Sequence, residues 1–353
     1  MNTKSLATGC AILAAALYAI NIPLAKLLLV QVEPTMLAAL LYLGAGLGMI
    51  IYRLCKKLLG KPQRAASLTR KELPYTLAMI ILDIAAPILL MLGISQTNSA
   101  NVSLLNNFEI VATSLIALLL FKEVISHRLW LAIGLVTLAS IILSFEGSEA
   151  FVFNQGSLLV LGACICWGFE NNSTKMLSNK SSEEIVIIKG CCSGLGSLSI
   201  ALLLGEAQPA LLYLAAALLL GFVAYGMSIN FYILAQKDLG AAKTSAYYSI
   251  APFLGVAFSL LLLGEQPSYL FYIGLVLMII STYFMVMDTI ELQHTHLHTH
   301  IHSHPHRHGK LVHTHSHSHQ HSHLHIHSGD ANSHSHQHQE LGGSHDHLHD
   351  AVN

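Results

Sequence analysis

Charge is what this chain has little of. Aspartate, glutamate, lysine and arginine together make up 10% of its 353 residues, against about 25% in an average soluble domain, while the apolar set reaches 53%. So few charges cannot coat a water-facing surface, which excludes a soluble multidomain enzyme. A basic excess is missing as well. Lysine and arginine total 18 against 19 acids, for a formal charge of −1, so a partner held by phosphate neutralisation is excluded and no nucleic acid is expected. Histidine is nearly absent from the first 290 residues, where His127 stands alone among the 23 in the chain. No Walker-type glycine loop, nucleophile triad or zinc-hydrolase spacing occurs, which argues against an enzyme and against an ATP-driven pump. The six cysteines (Cys10, Cys55, Cys164, Cys166, Cys191, Cys192) form no CxxC and lie in or beside apolar runs. There they read as small hydrophobes rather than a disulfide framework.

What is there in quantity is long apolar sequence. A helix needs about 20 mostly apolar residues to cross ~30 Å of hydrocarbon. Ten stretches meet that need: Leu6–Leu29, Thr35–Leu54, Pro74–Ile94, Ala100–Phe121, Leu129–Phe145, Gly156–Leu177, Glu184–Leu204, Pro209–Gln236, Thr244–Leu263 and Ser268–Met287. They do not alternate in polarity as barrel strands would, so an all-α membrane protein in a lipid bilayer is expected. Seven cations crowd Arg53–Lys71, whereas Gln31–Pro34, Ser95–Ser99, Glu146–Gln155, Gly205–Gln208 and Gly264–Pro267 hold none. The alternation predicts ten spans in a plasma (inner) membrane with both termini cytoplasmic. Lys4 ahead of an apolar run resembles a signal peptide, but Asn21, Pro23 and Lys26 fit a retained, functional helix better.

The chain also resembles itself. YAINIPLAK (Tyr18–Lys26) parallels WGFENNSTK (Trp167–Lys175), and EIVATSLIALLLFKE (Glu109–Glu123) parallels APFLGVAFSLLLLGE (Ala251–Glu265). Each copy holds five spans. Five is odd, so the second copy inserts in the opposite sense to the first. Residues 1–146 are thus read as one five-helix repeat, 147–290 as its inverted counterpart and 291–353 as a separate tail. Inverted repeats give two near-equivalent packings, one open to each side of the membrane, which is the basis of alternating access.

These motifs resemble those of the EamA-type transporters of the drug/metabolite transporter superfamily, over about residues 6–287. The resemblance rests on the aromatic–small–x–polar–x4–Lys pattern of spans one and six, and on Glu-Pro followed some 14 residues later by Gly-Glu in spans four and nine. It implies export or exchange of a small metabolite or drug-like solute. The chain departs from the pattern in span four, which keeps Glu109 but has Ile110 and Lys122-Glu123, and in span nine, which keeps Pro252 but has Ala251.

A charge at the bilayer centre costs about 2.5–3.5 kcal/mol on insertion scales and asks for a partner or a use. Asp83, Glu109 and Glu170 lie within spans, with Asn21, Asn106 and Asn171 nearby. Converging on one cavity, and joined by Tyr18, Trp167, Lys26 and Lys175, they would line a translocation path for a polar or cationic solute. The structural alternative is that the asparagines clip helices together, that Asp83 or Glu109 pairs with Lys26 or Lys189, and that Lys26 and Lys175 reach the headgroups. Pro23, Pro87 and Pro252 interrupt spans one, three and nine. The small-residue pairs Gly44/Gly48 and Gly190/Gly194 allow close helix packing within the chain and leave a homodimer face open.

Between His294 and His349 lie 22 histidines, mostly as His-x-His. No core can be built from such sequence, so disorder is expected. Neutral imidazoles bind Zn, Ni, Co or Cu, and His294, His296, His298, His300, His302, His304, His306, His308, His313, His315, His317, His319, His321, His323, His325 and His327 are the candidate ligands; no cofactor is otherwise required. Three readings follow: a secondary transporter of a small polar solute, a divalent-metal efflux transporter, and a membrane-anchored metal sensor or store.

Overall fold

The computed structural model describes residues 3–59, 68–122, 125–146, 152–177, 180–239, 244, 247–308 and 311–326. Among the described residues the helices group into ten rods that follow the order of the expected spans. Rod one is Thr3–Ala19 with Asn21–Leu28, rod two Pro34–Leu58, rod three Leu73–Gln96, and rod four Ser99–Leu105 with Phe108–Phe121. Rod five is His127–Leu143 and rod six Gln155–Lys175. Rods seven and eight each contain a π-helical turn. Rod seven runs Ser182–Ile188, Lys189–Ser193, Gly194–Leu203, and rod eight Leu211–Gly221, Phe222–Met227, Ser228–Leu239. Rod nine is Ala251–Leu263 and rod ten Tyr269–Leu292. Seven of the ten, all but rods five, six and nine, are long and apolar enough to cross a membrane. Large apolar side chains such as Leu119, Leu203 and Leu261 stand exposed on the outside of the bundle, as a lipid solvent would favour.

Local chemistry sets the ends and breaks. Pro34 and Pro74 open rods two and three, where the missing N–H costs nothing. Side-chain oxygens of Ser126 and Asn154 cap rods five and six by accepting from Leu129 N at 3.0 Å and Gly156 N at 2.7 Å. Rod one breaks at Ile20, where Pro23 removes the donor that Ala19 would use. Rod nine breaks at a turn at Ser249–Ile250, with Thr244, Tyr247 and Tyr248 helical before it and Pro252 in the first turn of Ala251–Leu263 after it. Rod four breaks at the matching place, Asn106–Asn107, without a proline. There the Leu104 carbonyl accepts from the Asn107 backbone N–H at 3.1 Å and from the Asn107 side-chain amide at 3.2 Å. Pro87 does not interrupt rod three, whose helix runs on through it. Its ring still denies the Asp83 carbonyl an intrahelical donor.

The two repeats pack on one another as counterparts. Rod three lies along rod six and rod eight along rod one. Rods two and seven, four and nine, and five and ten pair across the repeats. Close approach needs glycine. A Cβ on Gly44 would fall 2.1 Å from Leu218 O, one on Gly221 1.9 Å from Leu41 O, and one on Gly190 2.5 Å from Gly46 N. These glycines are therefore spent on packing inside the chain.

Gln293–His308 and Leu311–Ile326 form an antiparallel strand pair that continues from rod ten, in register from Gln293 opposite Ile326 to His308 opposite Leu311. His-x-His with Thr, Leu, Ile and Val between is a period of two, the strand period. His327 lies outside the described residues.

Candidate functional site

The π-turn of rod seven brings Lys189 into the bundle, and its Nζ sits between two carboxylates. It lies 3.1 Å from Asp83 Oδ2 on rod three and 3.0 Å from Glu170 Oε1 on rod six. The Asp83 and Glu170 side chains are 0% and 2% exposed, whereas Lys189 keeps 21%. Asp83 comes from one repeat, and Glu170 and Lys189 from the other. The Asp83 carboxylate also accepts from Tyr42 OH at 3.0 Å, and Thr174 Oγ1 donates to Glu170 Oε1 at 2.5 Å. Two carboxylates held by one ammonium and two hydroxyls carry a net charge of −1 when all are ionised, so one more positive charge would balance the site.

Beside this triad lies a ring cluster. Tyr225, on the π-turn of rod eight, has its ring 5.6 Å from that of Tyr42 and 6.0 Å, edge to face, from that of Tyr18; aromatic rings attract in such geometries. Asn21 Nδ2 donates to Tyr225 OH at 2.9 Å, and Asn106 Nδ2 to Tyr18 OH at 3.2 Å. A cavity of about 20 Å³, room for about one water, opens here, lined by Tyr42, Ala45, Val186, Lys189, Gly190, Tyr225 and Ile229. Rods one, two, three, six, seven and eight thus contribute to one polar interior, and π-turns, which recur at functional sites, supply two of its central side chains.

The remaining residues singled out from sequence fall into place around it. Glu109 does not join the triad; its Oε1 accepts from Asn171 Nδ2 at 2.7 Å, and Asn171 also reaches Thr113 Oγ1 at 3.2 Å. Trp167 is buried one turn before Glu170. Of the two lysines offered as partners for the acids, Lys189 is the one used by Asp83. Lys26 is turned to the end of rod three, where Nζ donates to the backbone carbonyls of Ile94 and, at 2.8 Å, Thr97. Lys175 is exposed at the end of rod six. Tyr42 carried no polar neighbour or motif in the sequence and was missed. A lysine at the eighth place of rod seven was visible only as an ion partner for Asp83 or Glu109.

A second set of contacts ties the repeats together at the rod ends. Gly205 and Gly264 have φ of +77° and +62°, and each is followed by a glutamate. Glu206 accepts from Thr35 N at 3.3 Å and Met36 N at 2.6 Å, and Glu265 from Ser99 N at 2.8 Å and Ala100 N at 2.9 Å. Each carboxylate therefore caps the start of a rod in the other repeat, a favourable place for negative charge. Lys122, the counterpart of Gly264, takes φ 54°; Glu123 lies outside the described residues. At the other end of rod two, Lys56 pairs with Glu183, and Lys180 lies 3.3 Å from Glu72.

This duplicated bundle agrees with the comparisons to known proteins. A solved crystal structure covers 81% of this chain and 97% of its own at a TM-score of 0.58 and 16% identity, a likeness of fold. An uncharacterized transporter of Methanothermobacter thermautotrophicus is 25% identical over 284 residues, 76% of this chain and 82% of its own length. The model of the EamA-like transporter family matches twice, over residues 6–145 and 154–287, one match to each five-rod repeat. The chain is a multi-pass membrane protein that belongs to the EamA-like transporter family.

Proposed function

We propose that the protein is a secondary transporter that exports or exchanges a small polar, cationic solute by alternating access, with Asp83, Glu170 and Lys189 as the exchange centre. All ten rods span the membrane in this reading, and the alternation of cations among the connections supports both ends lying in the cytoplasm. The observation that carries the reading is Lys189 held between two buried carboxylates that come from different repeats. The ammonium is a tethered cation. A solute cation or a proton entering the cavity lined by Tyr42 and Tyr225 would compete with it for the carboxylates, and rocking of one repeat on the other would change which side the cavity faces. The tyrosine rings offer faces to a cation. A metal-efflux reading finds no comparable support: among the described residues no group of three or more His, Cys, Asp or Glu is placed to hold an ion.

The test is flux in proteoliposomes across a panel of amino acids, organic cations and divalent metals, with and without a pH gradient. Uptake of an organic cation is expected to depend on the proton gradient, and Asp83→Asn and Glu170→Gln to abolish that dependence while the protein still folds. Cation flux untouched by both substitutions, or flux of anions alone, would refute the proposal.

A further inference from the structure

Rods two and seven, one from each repeat, hold each other at three points. In the middle they touch backbone to backbone: a Cβ on Gly190 would fall 2.5 Å from Gly46 N, and one on Gly194 2.7 Å from Leu43 N. Gly46 is the central residue of Pro34–Leu58, and Gly190 directly follows Lys189 of the triad. At one end Glu206, just past rod seven, accepts from Thr35 N at 3.3 Å and Met36 N at 2.6 Å. At the other end Lys56, in the last turn of rod two, pairs with Glu183 in the first turn of rod seven. The rods therefore run antiparallel. A bare backbone contact sits at the centre, and one carboxylate fastens each end.

We propose that this pair of rods is a rocker. The glycine contact is its pivot, and Glu206 and the Lys56–Glu183 pair are alternative clasps, of which one opens at a time. The rocker deepens the alternating-access reading and rests on it, naming the contacts that break. With both clasps made, the cavity beside the triad has room for about one water, so the centre is shut to a solute at both ends. Thr35 and Lys56 lie 11 and 10 residues from Gly46, about 15 Å along the helix in each direction. A tilt of about 10° at the pivot displaces an end by about 3 Å, enough to part a hydrogen bond. Lys189 stands beside the pivot and moves least, so the triad stays assembled while access to it changes sides. The clasps are unequal. Glu206 engages both of its oxygens, whereas among the described residues Glu183 Oε2 is buried without a hydrogen-bond partner, which weakens the contact that holds it there. The Lys56 end is the one that opens more readily. On the orientation proposed above it faces the cytoplasm, the side from which an exporter loads.

The experiment is alkylation of Ile229→Cys, on the cavity wall, by a membrane-impermeant maleimide in right-side-out and in inverted membrane vesicles. Each rate is taken in excess of that of the chain with its own cysteines alone. Ile229→Cys by itself should react faster from the Lys56 side, and equal rates or faster reaction from the Glu206 side would overturn the ranking of the clasps. Adding Glu206→Ala is expected to raise the rate from the Glu206 side about fivefold, the worth of one ordinary cap, and to leave the other side unchanged or slower. Lys56→Ala should act in the same way from the Lys56 side alone. A clasp variant that speeds reaction from both sides, or from neither, would overturn the rocker. Should either alanine variant fail to fold, the pair K56C/E183C keeps the test: its disulfide should abolish reaction from the Lys56 side and a reductant restore it, and reaction that persists under the disulfide would overturn the clasp. Alkylation needs no solute. Side-specific reaction in a protein without flux would refute the transport reading and leave the rocker, and flux with side-blind reaction would refute the rocker and leave the transport reading.

Discussion

Lys189→Met keeps a long unbranched side chain and removes the ammonium between Asp83 and Glu170. Their carboxylate oxygens, 3.1 and 3.0 Å from the lost nitrogen, are left at most about 6 Å apart. At an effective dielectric constant near 20, two unit charges at about that distance repel by about 3 kcal/mol. Breaking a buried ion pair by deleting one partner costs about 3–5 kcal/mol. The two routes agree, and a loss of that size would lower the midpoint of thermal unfolding by on the order of 10 °C. The assay is thermal unfolding of the variant in detergent micelles, repeated with Asp83→Asn added. Because Asp83→Asn removes one of the two unpaired charges, the double variant should recover about 3 kcal/mol relative to the sum of the single effects. Acidifying the medium should likewise shrink the deficit of Lys189→Met, since a proton can take the place of the ammonium. Additive single effects, within about 0.5 kcal/mol, would show that the three groups do not act as a unit.

Lys122→Gly should stabilise the fold by about 1 kcal/mol, because a left-handed backbone at φ 54° strains any residue with a Cβ; the thermal midpoint reads it, and Gly264→Ala should do the reverse. Gly221→Ala would drive a methyl to 1.9 Å from Leu41 O and should cost about 1–3 kcal/mol or more. Gly134→Ala, with nothing within 4 Å of its Cβ, serves as the control in the same unfolding assay. Glu206→Ala removes the cap on rod two, worth about 1 kcal/mol. The amides of Thr35 and Met36, its present donors, should then exchange with solvent several-fold faster, and unchanged exchange would deny the cap any weight.

Apolar length made most of the bundle legible. Rods two, three, six and ten lie within a few residues of where hydropathy places them, because a span of about 20 apolar residues leaves little freedom. The duplication was legible too, since YAINIPLAK and WGFENNSTK fall on rods one and six, which are counterparts. The breaks were harder. Proline marks those in rods one and nine, but the break in rod four is made by asparagines, which read equally as site residues. The π-turns of rods seven and eight have no sequence signature of their own, yet they carry Lys189 and Tyr225. Which acid meets which lysine depends on rotation of one rod about another, and no periodicity fixes that; hence Lys189 on Asp83, and Lys26 on backbone carbonyls. The tail pulls two ways, with the composition of a disordered segment and the alternation of a strand.

The repeats are alike in packing and unlike in chemistry. Rods one and eight meet through neutral groups, Asn21 on the Tyr225 hydroxyl with Tyr18 at its edge, and Tyr42 of rod two closes that cluster. Their counterparts, rods six and three, carry Glu170 and Asp83, and Lys189 stands on rod seven, the counterpart of rod two. Charge is thus confined to one of two equivalent places. A second triad would double the cost of taking carboxylates and ammonium out of water, several kcal/mol for each ion, without adding a second route through the bundle. A neutral cluster of phenols and amides keeps the packing of the two repeats and, on the transport reading, leaves a single centre at which an entering cation can compete. On the transport reading, duplication accounts for the rocking, and the divergence of Asn21 from Glu170 accounts for where the solute is felt.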